Sequence, residues 1–249
     1  MGGDRFIQSL ARGVAVIRAF RPGHEKLTMA EVASATGLPR AGARRVLLTL
    51  KELGYVEVDG RNFFLTSRVL DLSQGYVRQT IWDKVRPVLQ TVSDTLNETA
   101  SASVLEGFDV VYTLRIRPER PLHWALDVGA HLPAHASSMG RVLLAALPPE
   151  DLSRYLQQVR FEAYTAATVT DLEVLRTRLK EARQQGWCCA SGEIAEGLSC
   201  VSVPLRDRKG RTLAALGVSM SSSHFTDQVL QTQILPLLQR SSTAITKSL

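Results

Sequence analysis

The stretch Thr28 to Leu53, TMAEVASATGLPRAGARRVLLTLKEL, constrains this chain more than any other. Thr28-Met29-Ala30-Glu31 has the spacing of a capping box: Thr28 accepts from the amide three residues on, and Glu31 reaches back. The short helix that follows is broken at Thr36-Gly37-Leu38, where Gly37 can take a positive φ. Pro39 then starts a second helix, where its missing N–H costs nothing. Two helices joined by a three-residue turn containing Gly make a helix-turn-helix. Ala33 is expected where the helices cross, with Ala43 and Val46 facing inward. Arg40, Arg44 and Arg45 fall in the first two turns of the second helix, the part of a recognition helix that meets the major groove. A helical hairpin with a solvated basic face is the competing reading.

Charge helps to decide between them. Residues 1–78 hold 12 Lys/Arg against 7 Asp/Glu, a surplus of five, whereas residues 79–249 hold 18 against 17. The positive excess therefore sits with the helix-turn-helix and points to a polyanionic partner for that part alone. A length of 249 residues allows one or two domains, and 45% hydrophobic with 22% charged residues is globular in character. No apolar run approaches the ~20 residues of a membrane span, and MGGDRF lacks the segments of a signal peptide. Cys188, Cys189 and Cys200 show no zinc spacing, so a reduced, cytoplasmic protein is expected.

In chain order, Phe6, Leu10, Val14, Ile17 and Phe20 recur at helical steps over residues 4–20. That face should pack on the helix-turn-helix, with part of it available to a partner subunit. After Leu53-Gly54, Val56 and Val58 alternate with polar residues, Asp59-Gly60 is a turn, and Phe63–Leu65 return. A hairpin directly after a recognition helix is the wing of a winged helix. Arg61 at its tip suits either a phosphate contact or plain solvation. Residues 67–97 read as two helices, the second starting near Asp83 with Pro87 in or near its first turn. We place the domain boundary near residue 78, dividing a DNA-binding domain (1–78) from a second domain (79–249) through a helical linker.

The second domain reads as α+β with an antiparallel sheet. Strands are expected on either side of Gly107-Phe108-Asp109 and at His123–Val128, Trp187–Ser191, Ser199–Leu205 and Arg211–Met220. Helices are expected over Ser138–Leu147, Pro149–Gln157, Asp171–Gln185 and Thr226–Ser248. Two segments can hold a ligand. In VGAHLPAHASSMGR, Ser137 is placed as an N-cap, and the amides of Ser138, Met139 and Gly140 would form an anion site with the helix dipole. The alternative is a well-capped helix with Gly140 packed on the sheet. In SGEIAEGLSCVSVPL, Glu193 and Glu196 precede a strand on which Cys200 and Ser202 share one face and Val201 and Val203 the other. Arg115 and Arg117 lie on one strand face and can clamp a carboxylate, or simply face solvent. There is no HExxH, GxSxG, Walker loop or GxGxxG, so no cofactor or metal is expected. An enzymatic use of Cys189 or Cys200 with His135 has no local support.

Taken together, LARGVAVIRAF, TGLPRAGARRVLLTLKELGYV, VGAHLPAHASSMGRVLLA and EGLSCVSVPLRDRKGRTLAALGVSMSS resemble the IclR family of bacterial transcription regulators across nearly the whole chain. LPAHASSMGRVLLA looks most like the branch governing protocatechuate, 4-hydroxybenzoate and β-ketoadipate breakdown. The resemblance implies a winged helix, a linker helix, a GAF-like effector-binding domain, and dimers often paired into tetramers. It makes the chain a regulator, not an enzyme, with double-stranded DNA and a small aromatic or β-ketoadipate-like acid as partners. DNA contacts are then expected from Thr28, Pro39, Arg40, Ala41, Arg44, Arg45 and Arg61. Effector contacts are expected from Arg115, His135, Ser137, Ser138, Met139, Gly140, Glu193, Cys200, Ser202 and Ser219. Family members often carry an acidic residue just ahead of Glu193. Here Ala190 and Ser191 stand there, so either Glu193 takes that role or the pocket is more apolar. Gly42 stands where a hydroxyl residue is common.

Overall fold

The computed structural model describes residues 6–73, 81–118 and 126–249. The chain divides into two compact units, Met1–Thr80 and Ile81–Leu249.

In the first unit, α1 (Gln8–Ala19), β1 (Lys26–Thr28), α2 (Met29–Thr36), α3 (Arg40–Glu52), β2 (Val56–Asp59) and β3 (Asn62–Leu65) follow in order. The capping box is present: the Glu31 amide donates to Thr28 Oγ1 at 3.3 Å, and the Thr28 amide donates to the Glu31 carboxylate at 2.7 Å. α2 stops at Gly37, whose φ of 67° is left-handed. Pro39 is one position earlier than expected. It keeps an extended ψ of 145° as the cap residue, and its carbonyl accepts the first helical bond from the Ala43 amide at 3.0 Å. Val16, Val32, Ala43, Leu47, Leu50 and Val56 form the core with Ala33, whereas Val46 is only half-buried. The hairpin gains a third strand, in the order β1-β3-β2. β1 is too short for a sequence pattern, since only Leu27 of its three residues is buried. α1 departs from expectation. Of its apolar residues only Val16 is fully buried, while Phe6, Leu10 and Val14 are 65%, 65% and 47% exposed.

A 3₁₀ segment, Ser67–Ser73, follows the wing. The expected linker helix lies partly outside the described residues. The next helix, α4 (Trp82–Leu96), starts one residue earlier than expected and holds Pro87 in its second turn. There the missing N–H leaves the Asp83 carbonyl without its helical donor.

The second unit is a six-stranded antiparallel sheet between two helical layers. Its strands are β4 (Thr99–Glu106), β5 (Asp109–Ile116), β6 (His131–Pro133), β7 (Cys188–Ser191), β8 (Leu198–Arg206) and β9 (Thr212–Ser221). Their order is β6-β5-β4-β9-β8-β7. α4 and the closing helix pack on Ala100, Ala102, Val201, Val203, Leu216 and Val218 of one face. α5 (Ser138–Ala146), α6 (Pro149–Gln158) and α7 (Leu172–Gln185) cover the other.

The strand expected at His123–Val128 is corrected. Residues 119–125 lie outside the described residues, and 126–128 carry no strand. The Gly129 amide instead donates to the Tyr112 carbonyl at 2.7 Å, turning the chain so that His131–Pro133 pairs with β5. The closing helix is not uniform either. Asp227–Val229 opens it, a π turn spans Leu230–Ile234, and α8 (Leu235–Ser248) completes it. Pro236, which has no N–H and crowds the carbonyl four residues back, accounts for the widened turn.

Replacing Thr28 by Ala removes the cap acceptor of α2. The expected loss is about 1 kcal/mol, read as a lower unfolding midpoint of the N-terminal unit in calorimetry.

Candidate functional site

The first site is the outer face of α3. Ala43, Leu47 and Leu50 are buried, which turns Ala41, Arg44 and Arg45 outward; Pro39 and Arg40 are exposed at the helix start. Arg40/Arg44 and Ala41/Arg45 are neighbours one turn apart, so the three guanidinium groups form one stripe. Arg61 is exposed at the wing turn. Thr28 is committed locally: its hydroxyl also donates to the Glu31 carboxylate at 2.8 Å. Its part is to fix α2, on which α3 is braced.

The second site is a cavity of about 390 Å³ on the α5 side of the sheet. Of the residues singled out from sequence, Arg115, Ser137, Ser138, Met139, Glu193, Cys200, Ser202 and Ser219 line it. The two others do not. His135 is 2% exposed and packs edge-on against Phe161, with ring centroids 5.3 Å apart. Gly140 is pressed on the turn before α5, where a Cβ would stand 2.2 Å from the Ala134 carbonyl oxygen. The expected trio of free amides is corrected as well, because the Gly140 amide donates to Ser137 Oγ at 3.0 Å. Of the three amides, the one of Gly140 is thus taken by the cap.

Sequence reasoning missed Thr99 and Tyr112, both lining residues. Thr99 was legible in principle. In TASASVLE, Thr99, Ser101 and Ser103 alternate with alanines, a polar row on one strand face. Tyr112 was not, because a bulge controls it. Ala102 pairs with Leu114 but Ser103 with Tyr112, leaving Thr113 without a partner. The extra residue lets Tyr112 and Arg115, three apart, face the same cavity. Arg117, expected on the Arg115 face, lies beyond the strand end and pairs with Asp127.

Arg115 is the cation of this cavity. It lies over the Tyr112 ring at 5.3 Å, and its Nη1 donates to Ser101 Oγ at 3.5 Å. Its Nε and Thr99 Oγ1 are both buried with no partner among the described residues. Burial, the main cause, pulls its pKa below the ordinary guanidinium value, although a guanidinium stays charged at neutral pH. Two unsatisfied polar groups on one wall need an acceptor, and a carboxylate supplies it.

Glu193 has another task. Arg141, 1% exposed, grips its carboxylate through Nη1 and Nη2 at 2.6 and 2.5 Å and donates from Nε to the His135 carbonyl at 2.9 Å. Glu193 Oε2 also accepts from the Val169 amide at 3.1 Å. The Glu193 backbone carbonyl accepts from Thr168 Oγ1 at 2.6 Å. Its charge is therefore spent inside the protein, and of the two readings of its role the more apolar pocket fits. Burial pushes the thiols of Cys188 and Cys200 up to about 12, far from the thiolate a nucleophile needs.

Glu193→Leu strands the Arg141 charge, so a loss of about 3–5 kcal/mol is expected on chemical denaturation. Adding Arg141→Met should restore most of it. His135 gives a pH signature. Burial first, and then the nearby Arg141 charge, hold it below the usual 6.5. The unfolded chain therefore takes up this proton first. Stability is full above about pH 6.5 and falls as pH drops below it, and His135→Gln should flatten that fall.

Residues 9–60 match the IclR helix-turn-helix domain, and residues 74–247 match the bacterial transcriptional regulator IclR C-terminal domain. The chain is 40% identical to the Pca regulon regulatory protein of Pseudomonas putida, over 97% of this chain and 84% of the relative. It is 34% identical to the p-hydroxybenzoate hydroxylase transcriptional activator of Acinetobacter baylyi, over 96% and 90%. Its fold matches the crystal structure of an IclR homolog from Microbacterium hydrocarbonoxydans complexed with 4-hydroxybenzoate. The TM-score is 0.84, at 26% identity over 96% of this chain and 98% of that one. Among the described residues no helix is long and apolar enough to cross a membrane. With a helix-turn-helix at one end and the effector-domain fold at the other, the chain belongs to the IclR family of bacterial transcriptional regulators and is a DNA-binding regulator.

Proposed function

We propose that the chain controls genes of aromatic-acid breakdown and answers to a small organic acid, an aromatic or β-ketoadipate-like one, bound in the second unit. Residues 1–78 act as the DNA-binding domain and 79–249 as the effector domain, with operator and protein meeting in the cytoplasm. The observation that carries this reading is Arg115, a half-buried cation on the cavity wall whose buried Nε lacks an acceptor among the described residues. It holds the effector carboxylate, with Thr99, Ser137, Ser138, Met139, Cys200, Ser202 and Ser219 around the remainder. Relatives named for the pca regulon and for p-hydroxybenzoate hydroxylase support the same ligand class, as does the homolog complexed with 4-hydroxybenzoate.

On DNA, Arg44 and Arg45 contact bases and phosphates with Arg40, Pro39 and Ala41 at the helix start, and Arg61 reaches the backbone from the wing. Two copies pair through the exposed face of α1 and the residues just before it, since Phe6, Ile7, Leu10 and Val14 are otherwise in water. This homodimer, alone or as a dimer of dimers, sets two recognition helices about 34 Å apart on a pseudo-palindrome. The acid acts by binding the two operator-competence states of the dimer with different affinity.

Fluorescence anisotropy with DNA from the chain's own promoter region tests both halves. Arg44→Ala should cost about 1–3 kcal/mol of operator affinity if it reads a base. Arg115→Met should leave operator affinity intact and abolish its shift by added 4-hydroxybenzoate or protocatechuate. Unchanged binding by Arg40→Ala, Arg44→Ala and their double variant would sink the DNA assignment.

A further inference from the structure

Beneath the cavity runs a single cross-strand row whose two ends, Arg115 and Ser202, line it. Arg115 of β5 pairs with Ser101 of β4, Ser101 with Gly217 of β9, and Gly217 with Ser202 of β8. Two strand spacings separate Arg115 from Gly217, roughly 10 Å between backbones. The far end of the row is crowded. At Gly217 a Cβ would meet Ser202 Oγ at 2.6 Å, Met139 Cε at 2.8 Å and the Val201 carbonyl oxygen at 3.0 Å. Gly217 is thus the slot that admits the tip of Met139, which descends from the first turn of α5. A hydrogen bond holds the side chain there: Ser103 Oγ donates to Met139 Sδ at 3.0 Å. Met139 lines the cavity and Ser103, fully buried, does not. The thioether is therefore a partition between the cavity and the core behind it. Beside it, Ser138 Oγ and Ser202 Oγ share a hydrogen bond of 2.8 Å and offer polar groups at that end.

We propose that Met139, seated over Gly217, sets the depth of the cavity and selects a single-ring acid over a fused two-ring acid. The inference rests on the effector reading above, in which Arg115 anchors the carboxylate at the opposite end of the row. From that anchor one aromatic ring spans the floor to the Ser138–Ser202 pair. A second fused ring runs into the methionine methyl. Truncating Met139 to Ala frees the volume of Cγ, Sδ and Cε and opens the space above Gly217. Adding a methyl at Gly217 does the opposite, because the most mobile of its three neighbours is the tip of Met139, which must move into the cavity.

The test is isothermal titration calorimetry of the full chain with 4-hydroxybenzoate and 6-hydroxy-2-naphthoate. The wild-type chain should prefer the single ring by at least about tenfold, the discrimination one crowded methylene supplies in an apolar pocket. Met139→Ala should reduce that preference by at least about tenfold, and Gly217→Ala should weaken 4-hydroxybenzoate by a similar factor. Met139→Leu, close in volume but without the terminal reach, should shift the preference part of the way, and it serves if Met139→Ala does not fold. Equal affinity of the wild-type chain for the two acids overturns the proposal. So does an unmoved preference in a folded Met139 variant. Binding of neither acid by the wild-type chain sinks the effector reading, and this proposal with it. Binding with a preference indifferent to Met139 sinks only the size rule.

Discussion

The ion pair between Arg141 and Glu193 is the interaction on which the effector domain depends. Its two charges sit at 1% and 8% side-chain exposure, where an unmatched charge is not tolerated. Each oxygen and nitrogen is answered: two bonds between the partners, one from Arg141 to the His135 carbonyl, and one to Glu193 from the Val169 amide. Three parts of the chain remote in sequence meet there: α5 with the turn before it, the loop ahead of β8, and the segment leading to α7. That loop carries Glu193, Ile194 and Glu196 along the cavity. The pair therefore holds the wall of the ligand site without touching the ligand chemistry.

A second constraint is the closeness of α5 to the sheet. Ser101, Ser103, Ser202, Ala215 and Gly217 face the helix with little bulk, and Gly140 meets the Ala134 backbone directly. Interiors pack to crystal-like density, so small residues on the floor bring the first turn of α5 down onto it. The same closeness forces Met139 into a defined place and turns a flexible side chain into a wall. The opposite face carries the bulk of the apolar core through α4 and the closing helix, which frees this face for polar and small residues.

Much of the molecule was legible because its signals are local. The capping box, Gly37, the wing turn, the cap at Ser137 and the helix stop at Gly186 each depend on neighbours within a few residues. The failures have the opposite character. β1 exists because β3 is there to pair with it. Of the strand expected at His123–Val128, the described residues 126–128 carry none, and the pairing falls at His131–Pro133 after a turn closed by the bond between Gly129 and Tyr112. Leu10 and Val14 show the periodicity of a buried face yet remain exposed in the chain alone, since periodicity marks a surface that wants cover without naming what covers it. In the cavity, Arg115, Ser138, Met139, Cys200 and Ser202 came from motif and strand alternation, and Ser219 from the family resemblance. Tyr112 was hidden by a bulge, and the pairing of Glu193 with Arg141 was out of reach because the two lie 52 residues apart.

The amino-acid sequence by itself determined the helix-turn-helix and the wing, which rest on spacing, caps and turn residues, the charge division between the two parts, which rests on composition, and the family, which rests on the resemblance of its motifs. Only the tertiary structure decided which polar groups are spent and which remain for a ligand. Glu193 is consumed by Arg141, 52 residues away, while Arg115 Nε and Thr99 Oγ1 are left buried and unanswered among the described residues. The reason is physical. A side chain's chemistry is written in its identity, but its availability depends on burial and on partners that the chain brings from tens of residues away.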